Sequence, residues 1–151
     1  TTLPIGARIS DELRSQAAEI FAFDCLIENP DRRPDNPNLL SNGRSLAIID
    51  HELAFMTAIL FWQPVWKPGS LGTQGRGPHA LFQGLKGRPY DFARLAEAWA
   101  AVSEQRLDLY RAALPAEWLQ AGDAADGALA LIADVRDHIR PALAEVARVL
   151  A

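Results

Sequence analysis

At 151 residues, with 49% apolar and 23% charged side chains, the chain is long enough for one domain with a real core, short for two, and not disordered by composition. A net charge of −4, with Lys67 and Lys86 the only lysines, argues against a nucleic-acid surface, which wants clustered cations. The single cysteine, Cys25, excludes an internal disulfide and predicts a reduced, cytoplasmic setting, and the longest uncharged apolar run, Leu53 to Trp62, is too short to span a bilayer.

Thr1 to Ile9 carries Pro4 and Gly6 and reads as an irregular lead-in without a secretion-signal pattern. A central helix is predicted over residues 10–28. Ser10 is its N-cap, and Asp11 and Glu12 lie in the first turn, where the helix dipole favours acids. From Ile20 onward this helix is apolar on almost every side, as a buried helix is. Asp24 is the exception; buried, it is expected to brace nearby backbone, with a catalytic acid as the weaker alternative. Pro30 drives Asn29 out of helical geometry and stops the helix near Glu28.

A polar loop follows, stiffened by Pro30, Pro34 and Pro37 and carrying Asp31, Asp35, Asn36 and Asn38. Leu39-Leu40 and Leu46 to Ile49 flank Asn42-Gly43, the pattern of a hairpin with a type I′ turn. Asp50 then sits at the end of an apolar strand, or caps a helix beginning at His51 or Glu52 and running to Pro64. The glycine-rich 69–77 stretch lacks the GK[ST] of a phosphate-binding loop and reads as surface loop. Residues 78–151 are helical in pattern, with Asp91 as a cap, Ser103 opening a segment, and Pro115 starting a short helix. The final stripe, Leu129 to Leu150, is kinked or divided at Pro141.

His51, His79 and His138 stand apart, without HExxH-type spacing, so a zinc site is not predicted. There is no GxSxG elbow, and a paired-carboxylate glycosidase using Asp31 with Asp35 or Asp50 needs a separation that sequence does not supply. The set Asp31, Asn36 five residues on, and Asp50 fourteen further offers an acid to orient a hydroxyl and two oxygen ligands for magnesium. The plainer alternative is a polar loop followed by a helix cap.

The stretch FDCLIENPDRRPDNPNLL…LAIIDHELAF resembles the catalytic core of HipA-like kinases and, less closely, type II phosphatidylinositol 4-kinases. The resemblance covers about Phe21 to Phe55. It implies that Asp31 is the catalytic acid, Asn36 the metal-binding amide and Asp50 the metal-binding aspartate. By the same resemblance the fold is mainly α with one β-hairpin, a single domain over 1–151 like the C-terminal lobe of a protein kinase, with 29–50 as catalytic loop and hairpin. The implied cofactors are Mg2+ and ATP, and the implied partner a hydroxyl-bearing acceptor, a protein Ser/Thr rather than a lipid for want of a basic face. No phosphate-covering loop or strand lysine precedes the helix, so the N-terminal lobe is expected to be missing and the chain inactive without it. The competing expectation is a non-catalytic helical interaction module derived from a kinase.

Overall fold

The computed structural model describes residues 9–55, 62–72, 75, 77–119 and 123–151, so about half of the helix expected after Glu52 lies outside the described residues. Seven helices and one two-stranded antiparallel hairpin occur among the described residues, so the chain is mainly α. Helix α1 (Asp11–Leu26) is central: α2 (Phe82–Leu85), α7 (Ile139–Leu150) and the second hairpin strand all pack on it. Helix α3 (Ala93–Ala100) bridges α7 and α6 (Ala124–Asp137), while α4 (Glu104–Ala112) lies against α6; α5 (Ala116–Leu119) is a single turn. One apolar cluster runs through the whole, from Leu13 and Phe21 of α1 to Val146 and Leu150 of α7.

Ser10 stands at the N-cap of α1 in extended geometry, but its side chain makes no capping bond. The other end is better built. Asn29 donates its backbone N–H to the Asp24 carbonyl at 2.8 Å, and Glu28 between them has φ +55. This is the six-to-one closure of a Schellman turn, with Glu where Gly is usual, and holding a non-glycine there costs about 1–2 kcal/mol. The helix thus ends at Leu26, with Glu28 already in the turn.

The hairpin pairs β1 (Leu39–Ser41) with β2 (Leu46–Ile48), Leu39 opposite Ile48. A type I′ turn at Asn42-Gly43 is not formed. Only Gly43 has positive φ (+84), and the loop runs over four residues, 42–45, organised by Asn42. Its Oδ1 accepts from the Arg44 and Ser45 N–H groups at 2.9 and 2.8 Å, a side-chain mimic of a backbone turn. No helix begins at His51 or Glu52 either. Residues 52–55 form turns, so Asp50 caps no helix among the described residues, and residues 56–61 lie outside them.

Further on, Ser103 Oγ accepts from the Arg106 N–H at 3.2 Å and caps α4 as expected, whereas the N-cap of α3 is Phe92 without a side-chain cap, and Asp91, one residue earlier, accepts from the Ala93 N–H at 2.8 Å. The C-terminal stripe is divided, but at His138 rather than at Pro141. His138 (φ −117, ψ 22) breaks the chain between α6 and α7 and stacks on Trp66, ring centroids 4.7 Å apart. Pro141 therefore falls in the first turn of α7, where a missing N–H removes no intrahelical bond.

Candidate functional site

The loop between α1 and β1 folds back on itself. Arg33 and Asn36 exchange backbone hydrogen bonds (Arg33 N to Asn36 O, 3.2 Å; Asn36 N to Arg33 O, 3.0 Å), closing a tight turn with Pro34 at its second position. That turn returns Asn36 to Asp31: its Nδ2 donates to Asp31 Oδ2 at 3.1 Å, and Asn38 Nδ2 donates to the same oxygen at 3.3 Å. Asp31 Oδ1 faces Arg33 Nη1 at 3.0 Å, and the Asp31 N–H donates to Asn29 Oδ1 at 3.1 Å. Asp31 is 8% exposed and Asn36 half-buried, whereas Asp35 is exposed, its carboxylate 3.3 Å from Arg33 Nε. The five-residue spacing of acid and amide is thus what a four-residue turn requires.

Asp50 reaches the same region by strand register. Ile49 N–H donates to Asn38 O at 3.1 Å, extending the ladder one pair beyond the named strands. Asn36 lies two residues before that pair and Asp50 one after it, so both leave the ribbon at its open end, away from the Asn42-Gly43 turn. Asp50 is exposed and has φ +57. The positive-φ residues other than glycine are Glu28, Asn38, Asp50 and Phe55 among the described residues, and they bracket this loop and hairpin. Each costs of order 1–3 kcal/mol and is held by its surroundings, as Phe55 is by donating its N–H to the Ile27 carbonyl at 2.7 Å.

Behind the loop sits a buried ionic core that the sequence did not disclose. Arg32 is fully buried, with Nε 2.5 Å from Asp24 Oδ2 and Nη2 3.2 Å from Asp24 Oδ1. Its Nη1 donates to the carbonyls of Asn38 (2.6 Å) and Pro37 (3.2 Å). Asn29 Nδ2 donates to Asp24 Oδ1 at 2.8 Å. His79 approaches Asp24 Oδ2 at 3.1 Å through Nε2, while its Nδ1 accepts from the Leu81 N–H, so Nε2 carries the proton and donates. Burial pushes the Asp24 carboxyl upward, but the His79 and Arg32 hydrogen bonds and the Arg32 charge outweigh it, and its pKa is lowered. The expectation that Asp24 braces backbone is corrected: its carboxylate braces side chains. With four donors and 1% exposure it has no room for a substrate, which removes it as a catalytic acid.

The donor set suits a hard cation. An Asn36 whose amide nitrogen is committed to Asp31 turns its oxygen elsewhere, and Asp50 offers an exposed carboxylate at the same end of the ribbon. Among the described residues no group of three or more His, Cys, Asp or Glu side chains could hold a metal ion. Immediately past Asp50, an apolar cleft of about 940 Å³ opens between His51–Phe55 and helices α4 to α6, lined by Tyr110, Leu114, Trp118 and Ile132.

Residues 6–63 match the family model described as HipA-like kinase, a span that contains Asp31, Asn36 and Asp50. The resemblance noted from the loop and hairpin is therefore matched over the segment that carries it, while nothing supports its extension to the phosphatidylinositol 4-kinases. No curated protein and no solved structure matches the chain. No helix among the described residues is long and apolar enough to cross a membrane.

Proposed function

We propose that this chain is the C-terminal catalytic lobe of an ATP- and Mg2+-dependent HipA-like kinase that phosphorylates a protein serine or threonine in the cytoplasm. The observation that carries the reading is the Asn36–Asp31 hydrogen bond, at the open end of the hairpin that delivers Asp50, inside the segment matching the family. In this reading Asp31 orients the acceptor hydroxyl and takes its proton as the oxygen attacks the γ-phosphorus and ADP departs. The two amides on Oδ2 hold the carboxylate in one rotamer, and Oδ1, paired among the described residues with the half-exposed Arg33, is the oxygen a hydroxyl can reach. Asn36 and Asp50 would hold the magnesium, whose charge would offset that of the phosphates. An N-terminal lobe supplies the remaining nucleotide contacts.

The test is phosphate transfer by the complete kinase, this chain joined to its N-terminal lobe, carrying Asp31→Asn or Asp50→Asn. Asn tolerates the left-handed backbone at position 50, so the second variant removes charge without disturbing the turn. Each is expected to lower turnover about 10²–10⁴-fold with an unchanged melting temperature. Transfer at the unmodified rate in both overturns the assignment.

A second reading, a helical interaction module without catalysis, is favoured by the apolar cleft and by Trp118 at its edge, 65% exposed. Calorimetry with Mg2+ and ATP, run with the N-terminal lobe present, separates the two, since only the kinase reading predicts metal-dependent nucleotide binding.

A further inference from the structure

Building on that reading, we infer that Arg32 and His51 form a positioning bridge that fixes the separation of Asp31 and Asp50. Arg32 follows Asp31 in the chain, and His51 follows Asp50. The Arg32 guanidinium spans the two: Nη1 holds the Pro37 and Asn38 carbonyls on the loop side, and Nη2 meets His51 Nε2 at 3.1 Å on the hairpin-exit side. A guanidinium only donates, so His51 Nε2 is the acceptor in this contact.

The hairpin alone does not set this geometry. Its last rung is Ile49 N–H to Asn38 O, and at Asp50 the chain turns out of the ribbon with φ +57. Rotation there would swing the carboxylate freely if the next residue were loose. His51 is instead held on three sides: by Arg32, by Phe23 edge-on to its ring at 6.2 Å, and by its carbonyl accepting from the Ala54 N–H at 3.0 Å. Arg32 is itself immobile, because Asp24 grips it from α1 and its own carbonyl accepts from the Ala80 N–H at 2.8 Å. The chain of contacts thus runs from the buried helix to His51, the residue next to the exposed aspartate.

The experiment measures Mn2+ binding to the full chain by electron paramagnetic resonance, beside kcat and KM for phosphate transfer by the chain joined to its N-terminal lobe. His51→Leu deletes the acceptor while leaving the Asp24–Arg32 pair intact, and His51→Gln restores an acceptor oxygen. The leucine variant is expected to bind Mn2+ about 10–100-fold more weakly, as supporting residues of metal sites do, with kcat lowered and acceptor KM unchanged. The glutamine variant recovers most of the affinity, at melting temperatures close to the parent in both. Equal Mn2+ affinity in all three proteins, or equal loss in both variants, overturns the bridge. Asp50→Asn is the separate control: if it leaves Mn2+ binding untouched, the metal reading falls and takes the bridge with it.

Discussion

The side-chain amide of Gln16 pairs with both backbone groups of Leu46, donating to its carbonyl at 2.8 Å and accepting from its N–H at 2.8 Å. It acts as a one-residue third strand, projected from α1 onto the edge of β2. A two-stranded ribbon is marginal alone, and this contact with the burial of Leu39 and Leu46 moors it. Gln16→Ala is expected to destabilise the protein by about 1–3 kcal/mol, since it strands a half-buried N–H and C=O, and to raise hydrogen exchange at Leu46. Urea denaturation and amide exchange check it.

The Asp24–Arg32 pair makes a different kind of prediction. Removing one partner leaves the other charged and buried, so Asp24→Leu or Arg32→Met alone should cost about 3–5 kcal/mol. The double variant should cost much less than the sum, because no isolated charge then remains. A double-mutant cycle by chemical denaturation measures the difference, and additivity would show that the pair is not energetically coupled.

Glu145 gives the fold an acid-sensitive element. The Arg148 hydrogen bond, aided by backbone N–H donors of Gly69 and Leu71 and opposed by burial, lowers its pKa from 4.5 to about 2. A carboxyl depressed on folding contributes stability that is fully present above the unfolded value and is lost as pH falls through the folded one. Stability is therefore expected to decline by about 1–3 kcal/mol between roughly pH 5 and pH 2, and Glu145→Gln should flatten that limb. Denaturant midpoints across this range test it.

Gly75 has φ +85, and a methyl group there would meet Phe21 Cζ at 3.1 Å, Phe21 Cε2 at 3.2 Å and Cys25 Sγ at 3.3 Å. Gly75→Ala combines a left-handed alanine with overpacking against the central helix, and is expected to cost about 2–4 kcal/mol by thermal unfolding. A neutral substitution would show that the segment can back away from α1.

The same glycine shows what could and could not be read in the chain. The glycine-rich stretch reads as surface loop in sequence, but the packing of its Gly75 depends on Phe21 and Cys25, fifty or more residues away. Local signals served well where the cause was local: Pro30 stopping α1, apolar runs pairing across Asn42-Gly43, Ser103 capping α4. The site's supports had no such signal. His79 joins Asp24 across 55 positions, Gln16 joins Leu46 across 30, and a buried Arg reads in sequence like any exposed one. Asp24 carried the sole clue, a carboxylate in an apolar run that had to be neutralised by something. Even the break at His138 was misplaced by three residues, because the ring of Trp66, not the Pro141 backbone, occupies the corner.

The grip of α7 on Leu71 has a consequence for how the molecule comes into being. Glu145 accepts from the Leu71 N–H at 3.1 Å and Arg148 donates to its carbonyl at 3.0 Å, while the same helix packs on α1. During translation the loop and hairpin emerge long before these partners do. The nascent stretch must wait, with the apolar flank of α1 uncovered, until the ribosome has released the helix that closes over it.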